Sequence, residues 1–153
     1  ASGDDMLLMY KIKQQYPNKL GYLFHQEAIV TTEPMHSWRD FLNQRIRWAS
    51  KADRYDDKSV FRILALVYAT NVALLILLPI NLWVAGEIAH WLTLMLIKTL
   101  VELLFMRPVA RFYKQRAALL FFPLMQPLHL LYTVIAGWLG KFGSYQWKGR
   151  TVR

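Results

Sequence analysis

The chain has 153 residues, of which 55% are hydrophobic and 14% aromatic, and it carries a formal net charge of +9. That length fits one ordinary domain, and the positive mean hydropathy is high for a small soluble protein. The sequence contains no cysteine, which excludes disulfides and thiolate metal sites. The basic residues form no stripe on a polar fold, so we do not expect nucleic-acid binding.

The positive charge is unevenly distributed along the chain. Residues 1–59 carry nine basic and eight acidic side chains, whereas residues 107–153 carry eight basic and no acidic ones. Basic segments that flank apolar runs are typical of the cytoplasmic side of a membrane protein, where they also attract anionic lipid headgroups. We therefore expect a multi-pass membrane protein that has membrane lipids among its partners.

Residues 1–59 are predicted to be water-facing. Ser2 is suited to cap a first helix, which should end near Pro17 because proline cannot continue it. Pro17 and Asn18 together predict a turn. Residues 21–32 contain a β-rich run with weak alternation, which favours a strand.

A second helix carries the most informative residues of the chain. Ser37 is predicted to cap it, with an acidic residue three positions later as a shortened capping box, and the helix should run to about Lys58. At roughly 100° per residue, Gln44, Arg47 and Trp48 fall together on one face. Arginine offers a planar fork for phosphate oxygens, and indole offers a stacking surface for a sugar ring. The neighbouring side, which we expect to be core, collects Trp38, Phe41, Leu42, Ile46, Ala49 and Ala52.

Two apolar segments follow. Residues 63–86 contain no charged side chain, and about 20 residues suffice to cross the hydrocarbon layer. Residues 88–106 form a second predicted span, ended by Pro108. Lys98 and Glu102 lie inside it at i and i+4; such a pair can mark a transport path. We favour a neutralising pair that faces the helix bundle or the interface, because nothing continues it into a relay.

The third apolar segment, residues 117–140, is interrupted by Pro123 and Pro127. Basic residues flank both of its ends, which disfavours a clean crossing. A re-entrant or in-plane helix is slightly preferred, and a third span remains open. Residues 141–153 form a basic tail in which Trp147 is suited to an interfacial anchor. Three polar residues of the segment share one helical face: Gln126, His129 and Thr133.

Asp4 and Asp5 lie at a predicted loop-to-helix junction, where a carboxylate can face a cleft. Acids at a helix start also complement the macrodipole, and from the dipeptide alone that structural interpretation is favoured. The face of Gln44, Arg47 and Trp48 favours a catalytic role for these acids over the structural one. Sugar transfer needs a carboxylate base, and it needs positive charge near the departing diphosphate.

These motifs resemble those of the family 2 glycosyltransferases, the membrane-embedded group that includes cellulose, chitin and hyaluronan synthases. Gly3–Asp5 matches the family's acidic motif, usually Thr-Glu-Asp or Gly-Asp-Asp. Gln44–Trp48 matches its Gln-x-x-Arg-Trp motif and follows at the expected distance. Thr32–Pro34 and Phe41 look like the family's connector, and Gln146–Arg150 looks like the tail of many bacterial members.

The resemblance implies a mainly α chain with two parts. Residues 1–59 would be the C-terminal remnant of a GT-A-type α/β catalytic domain, and residues 60–153 would hold two or three membrane helices. Asp5 would be the general base for the acceptor hydroxyl, and Asp4 would support the site. The acceptor sugar and the departing diphosphate would be bound by Gln44, Arg47 and Trp48.

The family mechanism implies the partners and the cofactor. It is single-step inversion from a nucleotide-sugar donor to a lipid-linked or polysaccharide acceptor, with Mg²⁺ or Mn²⁺ on the diphosphate. The metal ligands would lie outside this chain, because the sequence lacks the nucleotide-binding half with its Asp-x-Asp motif. We expect a C-terminal fragment that neither binds donor nor turns over alone, located at a bacterial inner membrane with its catalytic part cytoplasmic.

A non-catalytic membrane component, such as a transporter or an assembly subunit, is the alternative. In that case Lys98 and Glu102 would be the functional pair, and the face of Gln44, Arg47 and Trp48 would dock a partner. The four histidines show no metal-ligand spacing in either interpretation.

Overall fold

The chain is mainly α-helical, as predicted, over the residues that the computed structural model describes: 4–52, 58–83, 88–147 and 149–152, with side chains from residue 6 onwards. The helices are α1 (Asp4–Gln15), α2 (Trp38–Ala49), α3 (Lys58–Trp83), α4 (Ile88–Phe112), α5 (Ala118–Phe121) and α6 (Gln126–Phe142), with a 3₁₀ turn at Gln26–Ala28. Strands β1 (Tyr145–Trp147) and β2 (Arg150–Val152) pair as an antiparallel hairpin. The chain divides into two units, Ala1–Tyr68 with Ile135–Arg153 and Ala69–Val134.

The predicted turn after α1 is confirmed. The backbone N–H of Lys19 donates to the carbonyl of Tyr16 at 3.1 Å, and Asn18 has a positive φ of 70°. Proline at the second position and asparagine in the left-handed region at the third are the residues that a type II turn prefers. Proline also prevents α1 from continuing, so the helix ends at Gln15.

The predicted strand at residues 21–32 is wrong. The segment contains the 3₁₀ turn Gln26–Ala28, where the backbone N–H of Glu27 donates to Nδ1 of His25 at 3.3 Å. Nearly all of these side chains are exposed, and Val30 reaches 85% exposure. A strand is stable only when its backbone pairs with a neighbour, and no neighbouring strand pairs with this segment in the described ranges.

Helix α2 begins as the sequence predicts and ends earlier. The backbone N–H of Asp40 donates to the Ser37 hydroxyl at 3.1 Å, and that hydroxyl donates to the Asp40 carboxylate at 2.6 Å. The predicted end near Lys58 is wrong, because the helix ends at Ala49. The Ser50 hydroxyl donates to the carbonyl of Arg47 at 2.9 Å, which satisfies a backbone acceptor that the last turn leaves open.

In the second unit, the core joins the two long helices to α6. The buried side chains of Leu74, Trp91, Met95 and Leu130 form one cluster. The indole N–H of Trp91 donates to the carbonyl of Leu74 at 2.8 Å. That contact gives the buried indole nitrogen a partner, which a tryptophan in an apolar core requires.

Within the described residues, α3 and α4 are the helices long and apolar enough to cross a membrane. Residues 63–83 of the first predicted span are helical, and residues 84–86 lie outside the described part. Only 11% of the most apolar window of α3 and 17% of that of α4 are buried within the chain. Helices so exposed and so apolar are unlike the core helices of a soluble protein, which bury their apolar face.

Helix α4 passes through Pro108, where the second predicted span was expected to end, and continues to Phe112. The helix stops instead in a Schellman motif. The backbone N–H of Gln115 donates to the carbonyl of Ala110 at 2.8 Å, and that of Lys114 donates to Arg111 at 3.2 Å. Lys114 holds the left-handed position, with φ 56°.

The third apolar segment is interrupted around Pro123, as predicted, whereas Pro127 does not interrupt it. Helix α5 ends at Phe121 and α6 begins at Gln126, which places Pro123 in the break and Pro127 in the first turn of α6. The basic tail forms a hairpin where no secondary structure was predicted. Trp147, predicted to be an interfacial anchor, is half-buried against a cluster of Ile46, Ala136 and Tyr145.

Candidate active site

The predicted acceptor-binding residues Gln44, Arg47 and Trp48 all lie on α2. Gln44 and Arg47 are half-buried, and Trp48 is 52% exposed. Ile46 lies about 160° around the helix from both Gln44 and Trp48, at roughly 100° per residue. Because Ile46 is buried at 6% exposure, the helix directs its apolar side into the unit and its amide and indole away from that core.

Arg45 contacts neighbouring side chains on this face of α2. Its guanidinium carbon lies 4.1 Å from the centre of the Trp48 ring and 4.9 Å from the centre of the Phe41 ring. Its Nη2 donates to Oε1 of Gln44 at 2.9 Å. A guanidinium over an aromatic face is attracted by the negative charge of the ring face. Arg45 therefore contacts both the indole and the amide of the predicted site.

Arg45 stands between the matched residues of the motif, and reasoning from the sequence missed it. The signal was present in the spacing, because residues three and four apart on a helix are neighbours. Phe41, Arg45 and Trp48 follow that spacing and form a ring–cation–ring stack. The Nε of Arg45 is buried and has no hydrogen-bond partner within the described part of the chain. We call the surface formed by Gln44, Arg45 and Trp48 the α2 platform.

Trp38, predicted to lie in the core, is 65% exposed, so that prediction is wrong. It occupies the first position of α2, ahead of the turn that contacts the core. Its ring meets the edge of Phe41 at a centroid distance of 5.8 Å and an angle of 88°. Phe41 thus contacts both Trp38 and Arg45.

The acidic half of the predicted site is described only by its backbone. Asp4 and Asp5 form the first residues of α1, and their side chains, with Ser2 and Gly3, lie outside the described residues. The role of Asp5 as general base therefore stays a prediction. The described part of the chain also holds no grouping of three His, Asp or Glu side chains that fits a metal ion.

A second polar cluster lies in the other unit, between α4 and α6. The Lys98 ammonium donates to Oε1 of Glu102 at 2.6 Å and to Oε1 of Gln126 at 2.7 Å. The amide of Gln126 donates in turn to Oε2 of Glu102 at 2.6 Å. The predicted pair is confirmed, and Gln126 closes it into a triangle. Lys98 and Glu102 are 8% and 28% exposed, so the triangle neutralises a buried charge inside an apolar environment.

Comparisons with known proteins bring no relative to this chain: no family model, no curated protein and no solved structure matches it.

Proposed function

We propose that this chain is the C-terminal part of a membrane-bound inverting glycosyltransferase. It would transfer a sugar from a nucleotide-sugar donor to a lipid-linked or polysaccharide acceptor. The observation that carries the proposal is the α2 platform, in which the Arg45 guanidinium lies over the ring of the exposed Trp48 and donates to the Gln44 amide oxygen. Gln44 and Trp48 of this surface are the first and last residues of the Gln-x-x-Arg-Trp motif, and Arg45 stands at its first variable position.

The chemistry of the platform suits an acceptor sugar beside a leaving diphosphate. The exposed Trp48 ring can stack on the apolar face of a sugar, and the Gln44 amide can bond its hydroxyls. Arg47 supplies positive charge where negative charge develops on the departing diphosphate. Asp5 would accept the proton of the attacking hydroxyl, so that the hydroxyl oxygen attacks the anomeric carbon as the bond to the diphosphate breaks.

The apolar helices support attachment of this site to a membrane. Helices α3 and α4 have the length and composition of membrane spans. The exposed basic residues Arg107, Arg111 and Arg116 follow the apolar part of α4, and such residues favour the cytoplasmic leaflet with its anionic lipids. A transferase anchored in this way reaches lipid-linked acceptors and cytoplasmic nucleotide-sugars from the same side. In the complete enzyme Mg²⁺ or Mn²⁺ would be held by residues outside this chain.

Two tryptophans on α2 allow a matched test of the proposal. Trp48→Ala and Trp38→Ala each remove an exposed indole from the same helix, but only Trp48 belongs to the α2 platform. Sugar transfer should be measured in membranes that contain the intact protein, with radiolabelled nucleotide-sugars as donors. We expect Trp48→Ala to lower kcat/KM for the acceptor by about tenfold or more, in line with loss of about 1–3 kcal/mol of stacking, and Trp38→Ala to have little effect. Equal activity of the two variants would contradict the proposal.

The transporter alternative is separated by a variant of the polar triangle. Lys98→Leu removes the buried ammonium without touching the α2 platform. The proposal predicts that Lys98→Leu protein that still inserts into the membrane retains sugar transfer, whereas a transporter would lose its function. The mutual hydrogen bonds of Lys98, Glu102 and Gln126 suit a pair that neutralises charge within the helix bundle.

A further inference from the structure

The C-terminal hairpin contacts α2 at two places. The backbone N–H of Gln146 donates to Oδ1 of Asn43 at 3.4 Å, in the middle of α2. The Lys51 ammonium donates to the Tyr145 hydroxyl at 3.2 Å, just beyond the end of the helix. These pairs are 103 and 94 residues apart in sequence. The hairpin therefore returns to α2 from the far end of the chain.

Apolar packing reinforces these two hydrogen bonds. Ile46 forms one buried cluster with Ala136 of α6 and Tyr145 of β1. Helix α6 also approaches the end of α2 closely, since a Cβ at Gly140 would lie 2.8 Å from Cβ of Ala49. The buried side of α2 is thus held by α6 and β1. The α2 platform is on the other side of the same helix, so any rotation or shift at the buried side moves the platform as well.

Lys51 and Tyr145 are the chemically unusual part of this contact. Lys51 is 6% exposed and Tyr145 is 4% exposed, and the ammonium also lies 5.7 Å from the centre of the Tyr145 ring. A buried ammonium is costly unless it is hydrogen-bonded. Loss of the tyrosine hydroxyl therefore weakens the contact by more than the loss of an ordinary exposed hydrogen bond.

We propose that β1, through Tyr145 and the Gln146 backbone, is a positioning element for the α2 platform. It rests on the proposed function, because the orientation it sets is that of the acceptor site. Tyr145 and Lys51 do not touch the substrate; they act through α2. The hairpin would then couple the C-terminal end of the chain to the rate of sugar transfer.

Two substitutions on the hairpin form a matched pair. Tyr145→Phe removes a hydroxyl that contacts Lys51, and Thr151→Val removes a hydroxyl that bonds only the Gln146 side chain on the exposed face. In the intact protein we expect Tyr145→Phe to lower kcat by about 3- to 10-fold with KM for the donor unchanged, and Thr151→Val to leave both unchanged. Asn43→Ala, which removes the other contact, should lower kcat in the same way.

Hydrogen exchange provides a readout that does not depend on sugar transfer. Tyr145→Phe should speed amide exchange at the C-terminal turn of α2 by about threefold or more, because the hydrogen bond between Lys51 and Tyr145 is lost there. Lys51→Met should do the same, and the double variant should be no worse than the single ones, since both remove one interaction. Unchanged exchange in Tyr145→Phe, or faster exchange with unchanged kcat, would overturn the positioning role. If the unsubstituted protein transfers no sugar while exchange still rises, the proposed function is wrong and the mechanical role of the hairpin is supported.

Discussion

Replacing Arg45 with lysine tests the stacking contacts of the α2 platform, because the substitution removes the planar guanidinium and keeps the positive charge. The guanidinium contacts two rings, at 4.1 Å from Trp48 and 4.9 Å from Phe41. Each such contact contributes about 0.5–1 kcal/mol at a partly exposed site. Lysine keeps the positive charge but lacks the planar guanidinium, which can stack on an aromatic ring. The substitution therefore removes up to about 1–2 kcal/mol of stabilisation from the position of the indole, because the lysine ammonium keeps part of the attraction to the rings.

That loss corresponds to a factor of about 5 to 30 in the fraction of protein whose indole is correctly placed. We expect kcat/KM for the acceptor to fall by up to this factor in Arg45→Lys. Initial rates of sugar transfer at varied acceptor concentration in membranes of the intact protein measure it. Arg39→Lys is the matched control, because Arg39 is an exposed arginine on the same helix outside the α2 platform. Equal rates for Arg45→Lys, Arg39→Lys and the unsubstituted protein would refute the reasoning.

Three further predictions concern stability, measured by thermal unfolding of detergent-solubilised protein. Glu102→Gln leaves the mostly buried Lys98 ammonium without its carboxylate, and we expect a loss of about 2–3 kcal/mol; an unchanged Tm would show that water satisfies the ammonium. Gly140→Ala places a methyl group 2.8 Å from Cβ of Ala49, which should cost about 1–3 kcal/mol, whereas a raised Tm would mean that α6 does not approach α2 so closely. Lys114→Gly relieves a left-handed residue at φ 56° and should stabilise the protein by about 1 kcal/mol; destabilisation would contradict the Schellman assignment.

The helices of this chain are predictable because they depend on local signals. Ser37 caps α2 through its own hydroxyl, and the long uncharged run of α3 needs no distant partner to be recognised as a helix. The errors arise where distant residues decide. The β-prone run at residues 21–32 would become a strand only if another strand lay beside it. Pro108 would end α4 only if the packing of the helix could not compensate for one missing backbone hydrogen bond.

In the candidate site too, features set by local spacing are predictable and features set by distant residues are not. The positions of Gln44 and Trp48 on one exposed face follow from the helical period, so the sequence was sufficient to predict them. The role of Arg45 depends on which rotamer its long side chain adopts near the two rings. The motif leaves this position variable, so the motif gives no indication that Arg45 matters. The hydrogen bond from Lys51 to Tyr145 joins residues 94 positions apart. A single sequence offers no local signal for such a pair.

Sugar transfer by Asp5→Asn in the intact protein tests the central claim most directly, because asparagine keeps the size of the side chain and removes the carboxylate that we propose as the general base. Asp40→Asn is the control, since that carboxylate contacts the Ser37 cap and not the α2 platform. We predict that Asp5→Asn lowers kcat by about a hundredfold or more while membrane insertion is unchanged, and that Asp40→Asn retains transfer. Full activity of Asp5→Asn would contradict the assignment of this chain as part of a glycosyltransferase.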